Sequence, residues 1–266
     1  MGGDGDPTPE RVLDRVAARR DVLGAVEGDE AVHVRDLRDA LDLSRSTVYE
    51  ATRELAAEGL LCRDDGFELT PFGRIAVDLY DRSVGALATA CAIREALAGL
   101  PADATLDPVV CRDAEVVRAE PHAPDRPFEA VGEFFEGATR MKGWFPVTGA
   151  RYVEGLDEAL AADESFAIEV LTERRVVEYL LSNHPDAVES WVESERVQLY
   201  ETGTRLPFGL LIEEEPDPSV GVLLYDEAGQ HRVLLAAEGR MAVAWGRGRF
   251  ADRRASATEL GGDRLG

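Results

Sequence analysis

The chain has 266 residues, 45% hydrophobic and 30% charged, with a formal net charge of −23 at pH 7. That length allows about two ordinary domains with true cores, and no apolar run approaches the ~20 residues that a membrane-spanning helix needs. Acidic residues number 52 against 29 basic ones, and Lys142 is the only lysine; arginine in place of lysine on so acidic a chain predicts adaptation to molar salt, where self-repulsion is screened within about 3 Å.

No basic stretch followed by an apolar core marks the N-terminus, so a soluble, cytoplasmic protein is expected. Cys62, Cys91 and Cys111 are far apart and form no Cys-x-x-Cys pair. They read as small buried residues in a reducing compartment rather than as a disulfide framework. His33, His122, His184 and His231 are equally scattered, so no metal centre is expected.

In chain order, residues 1–9 are rich in Gly, Asp and Pro and are predicted to be a disordered tail, as are residues 256–266. Residues 10–24 place Leu13, Val16, Ala17, Arg20 and Leu23 on one face of a helix. Residues 31–34 are a short extended piece. Leu37 and Leu41 mark a second helix, and Leu43 closes the turn after it. Ser44 suits the N-cap of a third helix, whose inner stripe is Val48, Ala51, Thr52 and Leu55. Its outer side carries Arg45, Ser46, Thr47, Tyr49, Glu50 and Arg53. Gly59 fits a left-handed cap. Residues 60–63 and 67–69 are the arms of a hairpin, with Asp65-Gly66 as a tight turn of positive φ. Thr70-Pro71 caps and begins another helix.

Helix, turn, helix and hairpin over residues 10–80 outline a winged helix-turn-helix, which points to double-stranded DNA. Arg45, Ser46, Thr47, Tyr49 and Arg53 are the expected major-groove residues, and Arg63 would meet the backbone from the wing. The alternative is an interaction module that docks another protein without specific DNA binding. Between residues 35 and 75 six arginines face nine acids, so no basic patch exists. Phosphate contacts weaken steeply with salt, and direct base contact must then carry more of the affinity. Phe72, Ile75, Leu79, Ala86, Ala90, Ile93 and Leu97 form a broken apolar stripe through residues 71–99. Within it, residues 81–100 read as a connecting helix that either joins two half-site readers into a homodimer or packs within its own subunit.

Leu100-Pro101 stops that helix and opens a second domain, residues 101–255. Strand-like pieces are expected at 115–118, 145–147, 166–171, 197–200 and 206–212, with a hairpin formed by 220–225 and 231–236. Helices are expected at 128–139, 150–162, 184–193 and 238–250, with another capped by Thr172. This mixture predicts an α/β domain with a mixed sheet. The fold class of the whole is therefore α+β: winged helix-turn-helix, long connecting helix, α/β sensor domain.

The chain, over about residues 10–250, resembles a family of archaeal transcriptional regulators common in salt-loving archaea. These join a winged helix to the C-terminal domain first defined in methanogenesis and filament-formation regulators. In the first domain the resemblance rests on residues 43–48, 53–55, 58–60 and 69–73. In the second it rests on residues 119–127, 177–181 and 206–210, where Pro-His-x-Pro-x-Arg-Pro and Leu-Pro-Phe-Gly are the more specific marks. Glu50 departs from the arginine that the family often has, which argues against a phosphate contact there. The resemblance implies an effector-sensing second domain, similar in strand order to the sensor of TrmB-type sugar regulators. Its core is shared with the phospholipase D-like fold. That fold's enzymes use His-x-Lys; here Arg140 and Met141 precede Lys142, so a phosphodiesterase is not expected.

Nor is a phosphate loop or a Gly-x-Ser-x-Gly turn present, so no catalytic residue, cofactor or enzyme activity is expected. His122 and Arg126 could bind an anionic small-molecule effector or merely tie their loop. Trp144, Tyr152 and Phe208 could line its pocket or pack the core. The arginines of residues 245–249 could touch DNA flanks or only solubilise the surface.

Overall fold

The computed structural model describes residues 8–28 and 31–261. The fold is mixed α+β and divides into two compact units, Met1–Val84 and Gly85–Gly266. No helix among the described residues is long and apolar enough to cross a membrane.

In the first unit α1 (Pro9–Ala18) and α2 (Arg20–Ala25) replace the single helix expected over 10–24. Arg19 leaves helical geometry between them (φ −126°, ψ 23°), so one periodicity cannot run through both. The buried face of α1 is consequently Val12 and Val16, with Leu13 exposed. Then come α3 (Val34–Leu41), α4 (Arg45–Ala57), β1 (Leu61–Arg63) and β2 (Phe67–Leu69). This is the helix-turn-helix with its hairpin. Asp42 turns the chain between α3 and α4 in the left-handed region (φ 51°).

Gly59 has the expected positive φ (71°), but Gly66 does not. Glycine is needed at 66 for space: a Cβ there would lie 2.9 Å from the Ala31 Cβ. Beside it Val32 forms an isolated antiparallel bridge to Phe67. α5 (Pro71–Ala92) begins where predicted, with the Thr70 hydroxyl accepting from the Gly73 N–H at 2.9 Å.

The second unit holds the end of α5, α6 (Arg94–Ala98), a 3-10 turn at Pro108–Cys111, β3 (Glu115–Arg118), α7 (Arg126–Glu133) and β4 (Arg140–Phe145). Next are α8 (Ala150–Ala162), β5 (Ala167–Glu173), α9 (Arg174–Asn183), α10 (Pro185–Glu193) and β6 (Val197–Thr202). β7 (Gly209–Glu215), β8 (Ser219–Tyr225), β9 (His231–Ala237), α11 (Arg240–Arg254) and β10 (Thr258–Glu259) complete it. Ile93 interrupts the helical run expected through residue 99, and Glu173, not Thr172, precedes α9. Thr172 is a buried strand residue whose hydroxyl donates to the Phe145 carbonyl at 2.6 Å.

The strands form one mixed sheet in the order β10-β6-β5-β4-β7-β8-β9-β3. β4, β5 and β6 are parallel, and the β7–β8–β9–β3 run is antiparallel. Because side chains alternate across a strand, the sheet builds two cores. Phe145, Leu199, Leu211 and Leu223 pack with α7, α8, α9 and α10 on one face. Trp144, Leu210, Val222 and Leu235 pack with Ile93, the 3-10 turn and α11 on the other. Gly246 allows that last contact, since a Cβ there would lie 2.9 Å from Val220.

The expected tails are corrected where they can be seen. Thr8 caps α1 and Pro9 is its first residue. At the other end Thr258 and Glu259 pair with Glu201 and Tyr200, and Leu260 is buried. Edge pairing plus one buried leucine holds a segment whose composition looks disordered. Residues 1–7 and 262–266 of those tails lie outside the described residues. Cys111 is buried as expected, but Cys62 and Cys91 are exposed. Cys62 lies on β1 of the hairpin and Cys91 in the last turn of α5.

Candidate functional site

The first candidate surface is the outer side of α4 with its hairpin. The Ser44 hydroxyl accepts from the Thr47 N–H at 3.2 Å, which fixes the start of the helix. The hydroxyls of Ser46 and Thr47 both sit 2.8 Å from that of Ser44. Val48, Ala51, Thr52 and Leu55 are buried as predicted, which turns Arg45, Tyr49 and Arg53 outward.

The arginines of this unit fall into two groups. Those of α1 neutralise the acids on the inner side of α4: Arg15 and Arg19 reach Glu54 at 2.8 and 2.9 Å, and Arg11 reaches buried Glu58 at 2.7 Å. Hydrogen bonding from Arg19, then the charges of Arg19 and Arg15, hold the Glu54 carboxyl below its ordinary pKa. Among the described residues no ion pair engages Arg45, Arg53 or Arg63.

Arg45 and Arg63 instead each lie over an aromatic ring. The Arg45 guanidinium stands 5.5 Å from the Tyr49 ring centre, and Arg63 sits 5.6 Å from that of Phe67. Hydrogen bonding to Arg45 and its charge, with a smaller pull from Arg63, lower the Tyr49 pKa. Tyr49 itself is 38% exposed. Helix and hairpin thus present two guanidinia and an aromatic ring on one surface. An acidic sequence hides this, because Glu54 and Glu58 are spent inward.

The second candidate lies in the other unit, at the edge of the sheet where β4 and β8 end and β9 begins. The Tyr152 hydroxyl is 2.5 Å from Nε2 of His231 and 3.3 Å from the Tyr225 hydroxyl. Phe128 meets both the Tyr152 and His231 rings edge-on at 5.1 Å. Arg151 lies over Phe128 at 4.2 Å and pairs with Asp125 at 3.1 Å. Burial pushes the Tyr152 phenol up to about 12 and the His231 imidazolium down to about 4. The cluster is therefore neutral at pH 7, with a phenol available to donate to an imidazole nitrogen.

Of the residues predicted to bind a ligand, only Tyr152 joins this cluster. Trp144 and Phe208 are sealed in the core beneath α11, where the indole N–H donates to the Phe208 carbonyl at 2.6 Å. Their side chains face the opposite side of the sheet from Tyr152, so they cannot share a pocket with it. His122 and Arg126 both pair with Glu120, at 3.3 and 3.2 Å, and so tie their own loop. Sequence reasoning missed Phe128, Arg151, Tyr225 and His231. Lone residues far apart in the chain carry no spacing signal, and only the sheet topology brings them together.

Packing also absorbs the basic stretch at 245–249. Trp245 stacks on Phe208, Arg247 binds Glu214 at 2.7 Å, and Arg249 binds Thr105 at 2.7 Å. Lys142 lies between Glu169 at 3.2 Å and Glu214 at 3.8 Å.

A helix-turn-helix with a hairpin is thus followed in the chain by an α/β unit on a mixed sheet. The family model for the methanogenesis regulatory protein FilR1, middle domain, matches residues 124–256, and that for the HVO_A0261 N-terminal domain matches residues 10–92. The chain belongs to the FilR1 middle-domain family.

Comparison with curated proteins gave no match. Among solved structures, the archaeal chromatin protein TrmBL2 is similar at 14% identity and a TM-score of 0.44, covering 95% of this chain and 100% of that one. NucT from Helicobacter pylori is similar at 8% identity and a TM-score of 0.42, covering 56% and 99%. The phospholipase D family member Nuc from Salmonella typhimurium is similar at 10% identity and a TM-score of 0.41, covering 56% and 98%.

Proposed function

We propose that this chain is a sequence-specific, DNA-binding transcriptional regulator that acts as a dimer and whose second unit senses a small molecule. The observation that carries this reading is the placement of Arg45 over Tyr49 and of Arg63 over Phe67 on the outer side of α4 and its hairpin. Guanidinia without carboxylate partners, beside an exposed aromatic ring, form a surface for base edges and phosphates. The regulatory family to which the chain belongs supports it.

Dimerisation is the reading that best accounts for the exposed apolar residues at the start of α5. Phe72, Ile75 and Leu79 follow one another at helical spacing, and Ile75 and Leu79 are 60% and 57% exposed. A two-fold dimer would give each half-site its own α4. Ile75→Glu with Leu79→Glu is then expected to yield a monomer in light scattering and to lose cooperative binding of two half-sites. The acidic surface and near-absence of lysine support operation at molar salt.

Footprinting at molar KCl, on fragments recovered by genome-wide occupancy, tests the central claim. A protected, roughly two-fold symmetric site supports it. Binding to a protein partner with no protected DNA would favour the interaction-module reading instead.

A further inference from the structure

The second unit contains a cavity of about 430 Å³ that borders the Tyr152–His231 cluster at Tyr225. The last turn of α5, the start of α6, the end of β3 and the β8–β9 hairpin surround it. Its volume falls in the range of about 300–1,000 Å³ usual for small-molecule sites. It lies beyond the ends of β3 and β8. Tyr225, buried, forms part of its wall.

Three arginines line it, Arg94, Arg118 and Arg232, together with three carboxylates, Glu95, Asp226 and Glu227. Among the described residues no ion pair engages any of the three arginines. Of the three carboxylates, Asp226 accepts through Oδ1 from the Ala228 and Gln230 N–H groups at 3.0 and 2.9 Å, and among the described residues Glu95 and Glu227 make no ion pair with the arginines.

The backbone also departs from regularity at this point. β8 and β9 slip register between Leu224–Val233 and Tyr225–His231, which leaves Arg232 as the extra residue. Such bulges re-aim a side chain at a sheet edge. Here the bulge sits between two residues of known use: Val233 in the core and His231 in the cluster.

We propose that Arg94, Arg118 and Arg232 form an anion-binding site for a small molecule bearing a carboxylate or a phosphate. Guanidinia bind either group through paired N–H bonds. This inference rests on the sensing role proposed for the second unit, and gives that role a place and a ligand chemistry. A bound anion would touch Cys91 and Ala92 at the end of α5, the helix that begins in the DNA-reading unit.

Calorimetric titration of the full chain with inorganic phosphate, adenosine monophosphate and malate tests it directly, without DNA. At least one of the three is expected to bind saturably. Arg118→Gln and Arg232→Gln should each weaken that binding about tenfold or more. Arg140→Gln, at the opposite end of β4, serves as a charge-matched control and should change nothing. Malate binding alone assigns a carboxylate ligand, and binding of either phosphate compound assigns a phosphate. No saturable binding of any probe overturns the proposal, as does binding that both arginine variants retain. Loss of duplex DNA affinity in these variants, with no anion bound, also overturns it. If the variants do not fold, a tungstate-soaked wild-type crystal decides between density among the three guanidinia and none. Operator binding is read separately, so failure here leaves the DNA-binding reading standing.

Discussion

Tyr49 in the first unit and Tyr152 in the second are the same residue in opposite circumstances. Tyr49 stands at the surface with two guanidinia beside it, and its pKa is drawn down, chiefly by Arg45. Tyr152 is buried against an imidazole and a second phenol, and desolvation drives its pKa up to about 12. The first arrangement presents unneutralised positive charge, which suits the polyanion proposed for it. The second keeps two phenols and an imidazole neutral within one hydrogen-bonded group.

The sharpest way to break this contrast is to remove the outward charge. Arg45→Ala with Arg53→Ala is expected to weaken operator binding by about 2–6 kcal/mol in total, from about 1–3 kcal/mol per base-contacting arginine. Thermal unfolding should hardly move, because neither side chain has an ion pair among the described residues. A second change should do the reverse. Tyr152→Phe strips the hydroxyl from His231 and Tyr225 and should cost about 1–3 kcal/mol in urea unfolding. DNA affinity of the folded protein should stay within error.

Acidification probes the same cluster more gently. The His231 pKa is lowered in the folded state from 6.5 to about 4, so the unfolded chain binds the proton more readily. The stability that His231 contributes is present above pH 6.5 and is lost as pH falls towards 4. Glu54, depressed by Arg19 and Arg15, acts in the same direction below its ordinary value of 4.5. Urea midpoints should therefore drop between pH 7 and pH 4.5, by about 1 kcal/mol for His231 once its partial exposure is allowed for. His231→Gln should flatten that part of the curve. The smallest effect is expected from Tyr49→Phe, which keeps the ring beside Arg45 and loses only the hydroxyl. Operator affinity should fall by about 1 kcal/mol or less.

Much of the first unit was legible in the sequence because its signals are local. Ser44 as cap, Gly59 as left-handed stop, Thr70-Pro71 as helix start and the four-residue inner stripe of α4 each depend on a few neighbours. The break at Arg19 and the close approach at Gly66 were not legible, since both are set by packing against distant segments. In the second unit the periods gave α8 over residues 150–162 and the β8–β9 hairpin nearly as they stand. β4 was placed too late: Gly143 and Lys142 interrupt its apolar pattern, and only its central position in the sheet explains it. Phe128, Arg151, Tyr152, Tyr225 and His231 meet across four elements, so no spacing in the chain announces them.

The central claim is that the outer side of α4 reads duplex sequence. Selection from a random double-stranded pool, run with the full chain at molar KCl, tests it most directly. The account predicts enrichment of one two-fold symmetric motif, with enrichment lost in the Arg45→Ala, Arg53→Ala variant. Retention of no motif above the starting pool, or equal enrichment by wild type and variant, would contradict it.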